Sequence, residues 1–73
     1  MKHHATLSKV RPVPGNRLSG LIYDDCLTRF ENGDSIVTSP ITEKIEVDGE
    51  VRYVKTETGT VYLIGSWVHA LDL

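Results

Sequence analysis

Val51-Arg52-Tyr53-Val54-Lys55-Thr56-Glu57-Thr58-Gly59-Thr60-Val61-Tyr62-Leu63-Ile64 is the stretch on which the fold turns. Two runs rich in β-branched and aromatic side chains flank a short polar segment ending in glycine, the pattern of a β-hairpin. A loop at Glu57-Thr58-Gly59 puts Thr56 opposite Thr60, Val54 opposite Tyr62 and Tyr53 opposite Leu63. Facing residues share a side of the sheet, so this register sets like against like. Glycine in third place accepts the left-handed backbone that closes such a loop.

Moving toward the N-terminus, Asp48-Gly49 and Asn32-Gly33 repeat the turn signal. At the first, glycine-last chemistry favours a loop at Val47-Asp48-Gly49. Side-chain matching favours Asp48-Gly49-Glu50, which pairs Val47 with Val51, Ile45 with Tyr53 and Glu46 with Arg52. We expect the matching to prevail. At Asn32-Gly33 a two-residue turn would oppose Glu31 and Asp34, whereas a three-residue loop separates these like charges. Strands are thus expected at residues 6–10, 20–23, 27–30, 35–38, 41–47, 51–56 and 60–64, with four to six forming a meander. Pro12, Pro14 and Gly15 read as an extended connector, since proline has no amide hydrogen for a ladder. Ser39-Pro40 reads as a corner. After Gly65, Ser66 could cap a helical turn with Trp67, Ala70 and Leu71 on one face; a final strand competes with it.

Composition agrees with strands: Val, Ile and Thr supply 20 residues, Ala two and Gln none. The expected fold class is all-β, a single strongly bent antiparallel sheet or small SH3-like barrel of four to six strands. A chain of 73 residues is one domain, burying only about 60% of the surface its unfolded form exposes. That leaves no room for a sheltered substrate cleft. The longest apolar run, Val61–Ile64, is far below the roughly 20 residues of a membrane span, and no secretory leader is visible. One cysteine, Cys26, excludes an internal disulfide. A cytoplasmic protein with no membrane attachment is the expectation, with homodimerisation as a further source of burial.

Charge is unevenly distributed. Residues 1–19 hold Lys2, Lys9, Arg11 and Arg17 and no acid, whereas residues 20–73 hold four bases against ten acids. The sequence reads as a basic N-terminal arm, 1–19, on an acidic β-domain, 20–73. No catalytic set emerges. Cys26 follows Asp24 and Asp25, whose charges disfavour a thiolate. His69 precedes Asp72 by three residues, and Ser66 is the only nearby hydroxyl, on a segment too short for fixed geometry. His3 near the amino terminus has the spacing that wraps copper or nickel, a trait such sequences show adventitiously. No metal site, cofactor or phosphate loop is expected.

Residues 38–65, with Thr38-Ser39-Pro40-Ile41 and Thr56-Glu57-Thr58-Gly59-Thr60-Val61-Tyr62-Leu63-Ile64-Gly65, resemble a pattern in small phage- and prophage-encoded proteins of uncharacterised function. The resemblance implies an accessory or inhibitor protein acting in the host cytoplasm and brings no catalytic residues with it. The expected function is therefore non-enzymatic protein binding, through a sheet edge or an aromatic face of Tyr53, Tyr62 and Trp67, with Glu46 and Glu50 steering approach. The alternative is nucleic-acid binding by the arm residues Lys2, Lys9, Arg11 and Arg17.

Overall fold

The computed structural model describes residues 2–68. Among these residues six strands form one sheet: β1 (Ala5–Val13), β2 (Arg17–Tyr23), β3 (Asp34–Val37), β4 (Ile41–Val47), β5 (Glu50–Thr56) and β6 (Val61–Ile64). Their spatial order is β3-β2-β1-β6-β5-β4. The arrangement is two three-stranded antiparallel meanders joined by a parallel seam, with Ala5 facing Tyr62, Thr6 facing Leu63 and Leu7 facing Ile64. The sheet is therefore mixed rather than wholly antiparallel.

The seam continues beyond its ladder. The His4 amide donates to the Val61 carbonyl (2.8 Å), and the Val61 amide donates to His4 Nδ1 (2.9 Å). The Val10 amide donates to Ser66 O, and Val10 bridges Trp67 in parallel fashion. Trp67 thus lies along β1, and no helix occurs among the described residues. Ala70 and Leu71, expected on the helical face, and His69 with Asp72 lie outside the described residues.

Alternation along β1 places Ala5 and Leu7 inward and would point Lys9 after them. A bulge prevents this: register jumps between Ser8 and Arg11, Lys9 takes φ 52°, and Val10 turns inward instead. Opposite the bulge a Cβ on Gly20 would meet Ser8 O at 3.0 Å and Val10 Cγ2 at 3.3 Å, so glycine is required there. The expected connector at Pro12–Gly15 is a hairpin. β1 runs through Pro12, and Val13 faces Arg17 across Pro14-Gly15-Asn16, with positive φ at Gly15 and Asn16. The β6 ladder covers only Ala5–Leu7, so a missing amide at Pro12 is tolerated.

The inner face holds Ala5, Leu7, Val10, Leu18, Ile22, Ile36, Ile41, Val54, Tyr62 and Ile64. Leu7, Ile22, Val10 and Val54 are its largest fully enclosed apolar side chains, each contributing roughly 1.5–3 kcal/mol by burial. Ser39-Pro40 is the corner between the two outermost strands. Around it the Thr38 amide donates to Leu18 O, the Ile41 amide to Asn16 O and the Glu57 amide to Pro40 O. These bonds curl the sheet, but no ladder joins β3 to β4, so it remains open and is not a closed barrel.

Candidate functional site

β4 is the longer of the two edge strands and, among the described residues, pairs on one side only, with β5. Ile41 is tied to the β1–β2 turn by its amide and by Asn16 Nδ2, which donates to its carbonyl at 2.6 Å. From Glu43 to Val47 the main chain has no such partner on its outer side among the described residues. This edge is exposed in the sense that matters for strand addition.

The β4–β5 hairpin has its own logic. Asp48 (φ 55°) and Gly49 (φ 83°) both take positive φ, the signature of a two-residue type I′ turn, and Val47 faces Glu50. Register then shifts, leaving Arg52 unpaired, so that Ile45 still faces Tyr53. The expected pair Ile45–Tyr53 forms, while Val47–Val51 and Glu46–Arg52 do not. Turn chemistry and side-chain matching are both met because a bulge absorbs the one-residue conflict. A second bulge at Thr42 separates the Ile41–Thr56 and Glu43–Lys55 pairs.

Pairing fixes the faces. Glu43, Ile45 and Val47 stand on the outer face, while Lys44, facing Val54, and Glu46, facing Val51, stand on the inner one. A row crosses the outer face through Ile45, Tyr53, Leu63, Thr6 and Tyr23. All five are half-buried, and the His3 ring lies 6.0 Å from Tyr53. Val47 beside the edge is 41% exposed. Glu43, Glu46, Asp48 and Glu50 give this end an acidic character; Arg52 meets Glu50 at 3.7 Å, an exposed pair of little energetic weight.

The three aromatic residues singled out from the sequence do not share a face. Tyr53 is on the outer row, Tyr62 is core at 3% exposure, and Trp67 packs against the core beside β1. Glu46 and Glu50 both lie near the hairpin tip, on opposite faces. The basic stretch contains β1 and the start of β2. Lys9 and Arg11 share a shallow recess with Ser19, Leu21, Ser35 and Val68, whereas Arg17 borders a different cavity and Lys2 precedes β1.

Residues 27–30, expected as a strand, are a loop. Asp25 organises it: its carboxylate accepts from the amides of Leu27 (3.2 Å), Arg29 (2.9 Å) and Phe30 (3.3 Å) and from the Arg29 guanidinium. Burial pushes the Asp25 carboxyl up, but the Arg29 side chain, the Arg29 and Leu27 amides and the Arg29 charge outweigh it, holding the group below its ordinary range. Burial opposes the Arg29 charge, yet Asp25 and Tyr62 Oη hold its pKa up. The guanidinium also lies over Phe30 and Tyr62, at 5.3 and 6.0 Å from the ring centres. The four-residue spacing of Asp25 and Arg29 was a readable signal for this knot. Cys26 is exposed, its amide donating to His4 O. No group of three or more metal-ligating side chains converges among the described residues, and no helix there is long and apolar enough to cross a membrane.

No family model, curated protein or solved structure matches the chain. The functional reading therefore stands on its own geometry.

Proposed function

We propose that the chain is a non-enzymatic module that binds a partner protein by taking an extended segment of it along β4. The observation that carries this reading is the outer main chain from Glu43 to Val47, unpaired among the described residues. An added strand would satisfy those groups, and its side chains would lie beside Glu43, Ile45 and Val47 on the outer face. A basic residue opposite Glu43 and apolar residues opposite Ile45 and Val47 suit that surface. The acidic hairpin tip steers such a segment, and the bulges at Thr42 and Arg52 disfavour flat edge-to-edge pairing between copies. A domain of this size acts by occupancy, as an inhibitor or accessory subunit does.

Nucleic-acid binding is the second reading, favoured by the Lys9–Arg11 recess, which no carboxylate lines among the described residues. Two adjacent charges supply only a weak, salt-sensitive attraction.

The test is co-purification from host lysate by the wild-type chain, an edge variant with Ile45→Lys and Val47→Lys, and a control with Lys9→Glu and Arg11→Glu. A protein retained by wild type and control but lost from the edge variant is the expected result. A partner lost only from the control, or retention of nucleic acid that the control abolishes, would replace strand docking with the phosphate reading.

A further inference from the structure

The concave side of the sheet does not pack to its end. Between the β1–β2 turn and β4 it leaves a cavity of about 140 Å³, walled by Pro12, Leu18, Ile41, Val51, Val54 and Trp67. An apolar-lined cavity of about 150 Å³ in another protein takes up benzene, so the space matches one ring or one branched alkyl group. The rest of the lining is polar in one sense only. Arg17 and Lys44 border the cavity with Asn16, and among the described residues no carboxylate does. Neither cation has an ion pair among the described residues, where the only bridges are Arg29–Asp25 and Arg52–Glu50.

Local structure brings these groups to the cavity. Asn16 Nδ2 is committed to the Ile41 carbonyl, pinning the β1–β2 turn to β4 across the cavity. The Arg17 side chain runs back over Gly15, with Nε 3.4 Å from where a Cβ would stand. Gly15 has φ +91°, a backbone that a larger residue adopts with strain. Lys44 reaches the same space because its register opposite Val54 points it to the inner face. Apolar walls with cationic side chains converging at the rim are the composition of a small-ligand site.

We propose that this cavity binds a small apolar monocarboxylate, its hydrocarbon part enclosed between Trp67 and Val54 and its carboxylate paired with Arg17 and Lys44. Free acids and the C-terminal residue of a peptide both present this chemistry. The site is separate from the outer main chain of β4 and does not rest on strand docking there.

Trp67 is the only tryptophan, so its fluorescence reports the cavity directly. The full chain is titrated with phenylacetate, with 2-phenylethanol as the uncharged analogue, and with short peptides ending in phenylalanine as free acid or amide. Saturable binding of phenylacetate is expected, with 2-phenylethanol about tenfold weaker through loss of the charge-assisted contact. The exposed double variant Arg17→Gln, Lys44→Gln should reduce phenylacetate to the level of 2-phenylethanol, and Val51→Phe, which fills the space, should abolish both. Tighter binding of the free-acid peptide than of phenylacetate assigns the ligand to a chain terminus; the reverse assigns it to a free acid. No saturable change with either acid into the millimolar range, or unaltered acid binding by the double glutamine variant, would overturn the proposal.

Discussion

Asp48-Gly49 and Asn32-Gly33 carry the same local turn chemistry and end in different structures. The first joins β4 to β5 directly, with positive φ at both residues. The second closes the connection 24–33, where Gly33 but not Asn32 has positive φ, the Asp34 amide donates to Glu31 O and the Gly33 amide to Ile22 O. The residues on either side make the difference. Beyond Asp48-Gly49, Ile45 finds Tyr53, and Val54 finds Tyr62 on the core face. Before Asn32-Gly33, Leu27 and Phe30 remain 43% and 40% exposed. Asp25 meanwhile takes the amides of Leu27, Arg29 and Phe30 that a ladder would need. A turn signal makes a hairpin only where both flanks have a ladder to join, and a short acidic side chain can outcompete that ladder.

Breaking the second region is expected to have the largest effect. Asp25→Ala removes an enclosed acceptor, 1% accessible at its side chain, and strips Arg29 of its partner; the expected loss is about 2 kcal/mol. Urea unfolding gives the size, and amide spectra give the place: residues 27–30 should shift while residues 44–55 stay. Equal movement in the hairpin would show that the two regions are one cooperative unit.

A smaller effect sharpens what the two turns have in common. Gly33 (φ +89°) and Gly49 (φ +83°) have nothing within 4 Å of an added Cβ, so alanine at either meets backbone strain alone, at about 1 kcal/mol. Matching losses from Gly33→Ala and Gly49→Ala in parallel denaturant titrations are expected. A clear excess at one would mean that its flanks, rather than its backbone, set the tolerance.

The smallest effect is a dependence on pH confined to the loop. The Asp25 carboxyl is held below its ordinary range. Its contribution is therefore complete above the unfolded carboxyl pKa of about 3.9 and is lost as pH falls through the lowered folded value. The stability gap between wild type and Asp25→Asn should be constant near neutrality and close under strongly acidic conditions. A gap that instead closed above pH 5 would contradict the sign of this shift.

Local pairing was largely legible in the sequence. The β5–β6 register follows from matching Val54 to Tyr62 and Tyr53 to Leu63, because the partners lie within one turn of each other. β4 could be placed at Ile41–Val47 for the same reason. The near end of the β4–β5 hairpin was not, since choosing between two rules left out the bulge that satisfies both. The candidate edge shows the same division. Glu43, Ile45 and Val47 alternate visibly, but nothing in their identities says that this strand, and not β5 or β6, would stand outermost. Tyr62 and Tyr53 look alike as letters, and only the sheet sends one to the core and the other outward.

What the residues dictated unaided was an all-β chain with its second half folded as hairpins, because β-branched content, glycine turns and side-chain alternation act over a few neighbours. What awaited the assembled molecule was the parallel seam of β1 and β6, with Ala5 facing Tyr62 across nearly the whole chain. The same holds for the interior position of the basic stretch and for the free edge and cavity that follow. Parallel pairing of distant segments has no turn to announce it. It is chosen when Leu7, Tyr62 and Ile64 share one core, a gain no local window contains.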